Sequence, residues 1–187
     1  MIKLAITGGI GSGKSYIARQ MTQLLGIPVY DSDYEAKRLI GESAYLRQSL
    51  TEITGLQLYD EQGQLKRSEF ATWLFASREN TEKVNAIVHP AVIDDFLLWA
   101  EKQNTQVVAI ESALVRESGI DRVVDKVIRV DAPLETRIRR AMDRDSATRE
   151  QIIARINRQK QYPTPDIIIN NPETTLKQLF NDSGTTI

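Results

Sequence analysis

The chain opens on an apolar run, Ile2-Lys3-Leu4-Ala5-Ile6-Thr7, that stops at a cluster of glycines. A short apolar run bounded by turn residues predicts a buried strand. Beyond the glycines, Ile17, Met21, Leu24 and Leu25 recur at helical steps, and Gly26 marks the end of that helix. Ile27-Pro28-Val29-Tyr30 predicts a second short strand, followed by a helix over 34–40. From 42 to 105 the texture changes. Helical patterns run over 43–53, 67–76 and 79–101, broken by the turn Asp60-Glu61-Gln62-Gly63 and without a clear strand. Trp73, Leu74, Phe75, Val84, Ile87, Val88, Phe96, Leu97 and Trp99 form its apolar stripes, most of them expected in the core. After 105 the strand pattern returns at 107–111, 126–130 and 167–169. Pro133 suits the first turn of an intervening helix. A further helix begins near Thr148 and ends at Pro163 and Pro165. A last helix is expected over 173–180. Strands alternating with helices predict an α/β fold, with a helical insertion between two sheet strands.

Composition narrows the class. A chain of 187 residues is long enough for one domain with an inserted subdomain and a full core. Net charge is −1, so the whole molecule is no electrostatic binder of nucleic acid. The absence of cysteine excludes disulfides, thiolate metal sites and cysteine chemistry, and permits a reducing compartment. No apolar run approaches the length of a membrane span. The first apolar stretch meets glycines by Gly8, unlike a signal peptide. A cytoplasmic protein without membrane or nucleic-acid partners is expected.

The chemistry begins at Gly8-Gly9-Ile10-Gly11-Ser12-Gly13-Lys14-Ser15, which fits G-x-x-x-x-G-K-[ST], the phosphate-binding P-loop. Glycines let consecutive backbone N–H groups converge on one anion, and the following helix adds the positive end of its dipole. Lys14 suits the β/γ-phosphates and the Ser15 hydroxyl suits Mg²⁺. The bland alternative is a structural glycine turn with a stray lysine, but the strand before and the helix after favour the P-loop. The motif names nucleotide phosphates, not a reaction.

Other candidates are weaker alone. Asp31 and Asp33 follow the second strand, at the end where open α/β folds bind ligands. Asp31 or Ser32 serves equally as a helix cap, whereas Asp33 leans toward function. Arg67 is, on composition, a surface arginine. His89, the only histidine, precedes Pro90, and a lone histidine is more often structural than catalytic. Glu111 ends a strand where many P-loop proteins carry an aspartate that helps hold Mg²⁺. Glu117 either faces a cleft or pairs with Arg116 or Arg122. Arg137, Arg140 and Arg144 share a helix face, a costly arrangement unless an anion or Asp143 and Asp145 offset it. Arg140 and Arg144 suit a polyphosphate clamp, against the plainer reading of a solvated basic face. Asn170 and Asn171 follow the last strand, where amides meet a base or simply form a turn.

Taken together these features resemble the dephospho-coenzyme A kinase family over nearly the whole chain. Thr7-Gly8-Gly9-Ile10-Gly11-Ser12-Gly13-Lys14-Ser15 looks like its P-loop, and Asp31-Ser32-Asp33 like its Asp-x-Asp. Gly63 with Arg67, Ile87-Val88-His89-Pro90, Glu117, the Arg140–Asp145 stretch, and Asp166 through Asn171 match further family segments in order. Departures are Tyr16 where Thr is common, Glu111-Ser112-Ala113-Leu114-Val115 for Asp-x-Pro-Leu-Leu, Arg116, and Pro172-Glu173.

The resemblance implies a P-loop NTPase fold, three-layer α/β/α on a five-stranded parallel sheet. It implies one kinase domain: a core of 1–41 and 105–187, a helical acceptor subdomain of about 42–104 and a lid of about 140–162. The implied reaction is transfer of the ATP γ-phosphoryl group to the ribose 3′-hydroxyl of dephospho-CoA, giving coenzyme A and ADP. Lys14, Asp33 and Arg140 would be catalytic. Backbone amides of residues 9–15 would cradle the phosphates, and Gly9, Gly11, Ser12, Gly13, Lys14, Ser15, Tyr16, Arg144 and Asn170 would hold the nucleotide. Thr7, Asp33, Arg67, His89 and Glu117 would hold the acceptor, and Ser15 the Mg²⁺. ATP, Mg²⁺ and dephospho-CoA are the expected partners, on a monomer or weak homo-oligomer. The alternatives are another small-molecule or nucleoside monophosphate kinase with a P-loop, and a regulatory GTPase. For the GTPase, Asp60-Glu61-Gln62-Gly63 matches D-x-x-G, but no strong buried strand precedes it and no Asn-Lys-x-Asp occurs.

Overall fold

The computed structural model describes residues 1–159 and 164–170. Predicted features at Lys160, Pro163, Asn171, Pro172, Glu173 and the helix over 173–180 lie outside the described residues. Five strands form one parallel sheet in the order β2-β3-β1-β4-β5: β1 (Ile2–Gly8), β2 (Val29–Asp31), β3 (Val107–Glu111), β4 (Lys126–Val130) and β5 (Ile167–Ile169). The central strand β1 pairs with β3 through Ile2↔Val107 to Ile6↔Glu111, and with β4 through Leu4↔Lys126 to Gly8↔Val130. Central parallel strands are covered on both faces, which is why β1 and β3 are nearly continuous apolar runs and why β4 buries Val127, Ile128 and Val130. Leu4, Ile6, Ala109, Ile128, Val130 and Ile169 bury against Ile17, Ala18 and Met21 of α1 (Lys14–Leu25). Each larger side chain among them contributes about 1.5–3 kcal/mol by leaving water. The register sets Ile6 beside Glu111, so the carboxyl ends of β1 and β3 lie side by side.

The second strand begins two residues later than the sequence predicts. Pro28 has no N–H for the ladder and contributes only its carbonyl, which accepts from Ala109 N–H.

The chain divides into two compact units, Met1–Tyr30 with Gln103 onward, and Asp31–Lys102. The second unit thus includes α2 as well as the helices expected from about 42. The reason is that α2 (Ser32–Glu42) packs on α5 (Arg78–Glu101) and on α3 (Ala44–Thr54). Arg38 of α2 reinforces this by pairing with Asp95 of α5 at 2.8 Å, and with Glu35 and Glu42 on its own helix. Within this unit α5 is the spine. Val84, Val88, Val92, Phe96 and Ala100 recur every fourth residue and are all buried. Helix α4 (Arg67–Ala76) packs on the same spine, and its Phe70 is buried. Of the apolar residues expected inside, Phe75 is 78% exposed, because it stands at the last turn of α4 on the side away from Phe70.

The D-x-x-G stretch is a hairpin turn. Tyr59 and Leu65 bridge antiparallel, and Asp60 accepts from the N–H groups of Gln62 and Gln64 at 3.0 and 2.7 Å. Asp60 thus caps its own turn, a role that accounts for the match without a nucleotide.

Candidate active site

The first unit carries the phosphate loop. Strand β1 ends at Gly8, the chain turns through 9–13, and α1 starts at Lys14 after Gly13, whose φ is +101°. A helix start leaves backbone N–H groups without intrahelical partners. Here the N–H groups of Gly11, Gly13, Lys14 and Ser15 donate to no protein acceptor among the described residues. Such a cluster at a helix N-terminus is an anion site. The expectation that all amides of 9–15 face one anion needs correction. Ser12 N–H donates to the Gly9 carbonyl at 3.0 Å, closing the turn, and Ile10 N–H donates to Gln159 Oε1 at 3.0 Å. Tyr16 N–H donates to the Gly13 carbonyl at 3.0 Å, while its side chain is partly exposed.

Two hydroxyls beneath the loop, Thr7 Oγ1 and Ser12 Oγ, are buried and without a partner among the described residues. A Cβ on Gly8 would sit 2.5 Å from Ser12 Oγ and 2.4 Å from the Val130 carbonyl. The loop and the ends of β1 and β4 are therefore packed to contact, with no room for a side chain.

Glu111, at the end of β3, faces the start of α1. Ser15 Oγ donates to Glu111 Oε1 at 2.6 Å, and Lys14 Nζ lies 3.8 Å from the same oxygen. Both partners of the Lys14–Glu111 pair are largely shielded from solvent. The longer glutamate side chain thus reaches the loop hydroxyl directly. Among the described residues no group of three or more carboxylate or imidazole side chains could hold a metal alone. One hydroxyl and one carboxylate fit Mg²⁺ bound mainly through nucleotide phosphates and water, the usual arrangement for that ion.

Helix α7 (Leu134–Asp145) lies against the loop. Arg137 Nε donates to the Ile10 carbonyl at 3.0 Å, and Arg140 Nη1 to the Ser12 carbonyl at 3.3 Å. A Cβ on Gly11 would stand 2.1 Å from the Arg137 carbonyl. The third arginine of the face behaves differently. Arg144 pairs with Asp145 through two bonds of 2.7 and 3.1 Å, and Arg155 of α8 (Arg149–Arg158) reaches Asp145 at 2.9 Å. Arg144 first, and Arg155 with it, hold the Asp145 carboxyl below the usual range, while that hydrogen bond to Asp145 raises the Arg144 pKa. Asp145 therefore offsets part of the charge that the sequence leaves unbalanced.

The remaining candidates are divided over the two units. Glu117 lies in the short helix Val115–Ser118, half-buried, and pairs with neither Arg116 nor Arg122. Asn170 follows β5 and is exposed. Asp33, Arg67 and His89 belong to the second unit. Asp31 is the N-cap of α2, accepting from Asp33 N–H and Tyr34 N–H at 3.0 Å each, which leaves the exposed Asp33 carboxylate in the first turn. Arg67 is the exposed first residue of α4, and His89 is half-buried inside α5.

Sequence reasoning missed two contacts. Arg137 stood in the basic run, but nothing singled it out as a loop contact. Gln159 gave no signal, because its partner lies 149 residues away.

Residues 2–176 match the family model described as dephospho-CoA kinase. A Bacteroides fragilis dephospho-CoA kinase is 39% identical over 181 residues, covering 94% of this chain and 87% of the relative. A Porphyromonas gingivalis dephospho-CoA kinase is 46% identical over 161 residues, covering 86% of this chain and 79% of the relative. A crystal structure from Thermus thermophilus superposes with a TM-score of 0.76 at 29% identity, covering 95% of both chains.

Proposed function

This chain belongs to the dephospho-CoA kinase family, and we infer that it transfers the γ-phosphoryl group of ATP to dephospho-CoA, giving coenzyme A and ADP. It is a phosphotransferase of coenzyme A biosynthesis. The observation that carries this reading is the match of residues 2–176 to the family, laid over a loop whose N–H groups are left without protein acceptors at a helix start.

The roles follow from the chemistry of phosphoryl transfer, where positioning and charge stabilisation supply most of the rate. Gly11, Gly13, Lys14 and Ser15 offer N–H groups to the phosphates, and the Lys14 ammonium offsets charge that builds as the β–γ bridge breaks. Gly9, Ser12 and Tyr16 shape the loop around them. Ser15 and Glu111 would hold Mg²⁺, which would supply positive charge to offset that of the phosphates. Arg140 supplies a second cation at the loop, and Arg144, released from Asp145, a third. The acceptor is the ribose 3′-hydroxyl. Its oxygen bonds to the γ-phosphorus, the bond to the bridging oxygen breaks, and the hydroxyl proton passes to the Asp33 carboxylate. Thr7, Arg67, His89 and Glu117 bind the acceptor, and Asn170 the adenine of ATP. The helices α7 and α8 act as the lid that keeps water from the γ-phosphate. We assign the enzyme to the cytoplasm on the family's place in coenzyme A biosynthesis. Among the described residues no helix is long and apolar enough to cross a membrane.

The test is ATP consumption with dephospho-CoA, AMP or shikimate as acceptor. Dephospho-CoA should stimulate turnover strongly and the others weakly. No stimulation by dephospho-CoA removes the reading.

A further inference from the structure

Ile10, at the tip of the phosphate loop, is held from outside the loop at every point where it can be held. Its N–H donates to Gln159 Oε1, and its carbonyl accepts from Arg137 Nε, both at 3.0 Å. Its side chain packs against the small cluster of Ile138, Ala141 and Ile152, together with Met142, Ile153 and Ile156. That cluster belongs to α7 and α8 alone and is separate from the core on the sheet. The next residue, Gly11, meets the Arg137 carbonyl so closely that no Cβ fits. A loop shaped only by its phosphate ligand would turn its amides inward. Ile10 instead turns its amide outward, to a side chain just past the end of α8.

We propose that Arg137 and Gln159 are positioning residues that fasten the helix pair α7–α8 to the phosphate loop at Ile10. The base of the pair, where α7 begins and α8 ends, is then tied to the loop tip. The clamp holds the N–H groups of Gly11, Gly13, Lys14 and Ser15 in their binding arrangement before a nucleotide arrives, lowering the ordering cost of binding. It also fixes where Arg140 stands, since that side chain reaches the same loop two residues on, at Ser12. In this role neither clamp residue needs a contact of its own with the nucleotide or the acceptor. The two hydrogen bonds act on the same residue, so losing one frees the tip and makes the other nearly worthless. The proposal rests on residues 8–15 being the nucleotide phosphate loop.

The experiment is calorimetric titration of the full chain with ADP, with KM for dephospho-CoA measured alongside. Gln159→Leu and Arg137→Gln should each weaken ADP binding about tenfold, equal to about 1.4 kcal/mol. The double variant should be little worse than either single one. Gln159→Glu, which still accepts from Ile10 N–H, should restore ADP affinity. KM for dephospho-CoA should not move. Gln159 lies beyond the last turn of α8 and outside the apolar cluster, so the Leu and Glu variants decide the matter even if Arg137→Gln fails to fold. ADP affinity unchanged while the melting temperature falls would overturn the clamp. So would equal weakening of ADP and dephospho-CoA, or singles that multiply in the double. Lys14→Ala in the same titration separates the premises. If it loses ADP binding and Gln159→Leu does not, the loop stands and the clamp falls. If Lys14→Ala binds ADP like the parent, the loop reading itself is gone.

Discussion

Gly11→Ala tests the closest approach in the site. Two costs arise. Gly11 has a φ of +73°, a region that costs an L-residue about 1–2 kcal/mol. The new Cβ would also stand 2.1 Å from the Arg137 carbonyl oxygen and 2.7 Å from its carbonyl carbon. Non-bonded atoms rest about 3.5 Å apart, so the first turn of α7 must retreat by roughly 1.4 Å. The opposing atoms are helix backbone, not the far end of a flexible side chain, and overpacking of that kind costs about 1–3 kcal/mol. The retreat also pulls Arg137 from Ile10 and Arg140 from Ser12. The sum is about 2–5 kcal/mol against the loop conformation that binds phosphate. At the low end that weakens ADP roughly 30-fold. Gly26→Ala is the control. Its φ of +64° carries the same backbone cost, but among the described residues nothing lies within 4 Å of its Cβ. It should lower the melting temperature by about 2–4 °C per kcal/mol and leave ADP affinity unchanged. Calorimetry with ADP and thermal unfolding of both variants provide the readout. If Gly11→Ala binds ADP within about threefold of the parent, the clash is harmless and the reasoning fails.

Three further variants address the chemistry and the charge balance. Lys14→Ala should reduce kcat by about 10²–10³, measured by coupled ADP release, and near-normal turnover would mean the phosphate site is misplaced. Asp33→Asn should lower kcat by about 10² or more while ADP affinity stays near the parent value. A loss of affinity alone would make Asp33 a metal ligand. Asp145 has a depressed folded pKa, so its stabilising effect is complete above the ordinary carboxylate value of about 3.9 and is lost as pH falls through the lower folded value. Asp145→Asn should therefore lower stability at neutral pH and flatten the acid limb of the stability curve. Acid limbs that superimpose, followed by thermal unfolding from neutral pH downward, would contradict the pairing with Arg144 and Arg155.

Much of the architecture was legible because its signals are local. Strand 107–111 is apolar up to its terminal Glu111, and 126–130 is apolar at Val127, Ile128 and Val130, since strands covered on both faces need apolar residues at most positions. Helix 67–76 appears at the predicted bounds, and α5 differs from prediction by one residue at its start. The start of the second unit was not legible. Residues 34–40 look like any amphipathic helix, and only the docking of α2 on α5 assigns that helix to the insertion. Asp31 had two readings from sequence, and its hydrogen bonds select the cap. Glu111 shows the limit from the other side. As a glutamate it looked a poor substitute for aspartate, yet its carboxylate lies 2.6 Å from Ser15 Oγ, because register brings β1 and β3 to the same height.

The sequence by itself determined the phosphate loop, the parallel sheet and the helical insertion. Each depends on glycine spacing, apolar periodicity or turn residues within a few positions of one another. Only the tertiary structure decided which groups close on that loop. Ser15 meets Glu111 across 96 residues, Arg137 meets Ile10 across 127, and Ile10 meets Gln159 across 149. A hydrogen bond to a carbonyl or amide needs only a donor or acceptor at the right place. It therefore leaves no residue pattern in the chain, and its partners emerge only when the fold brings them together.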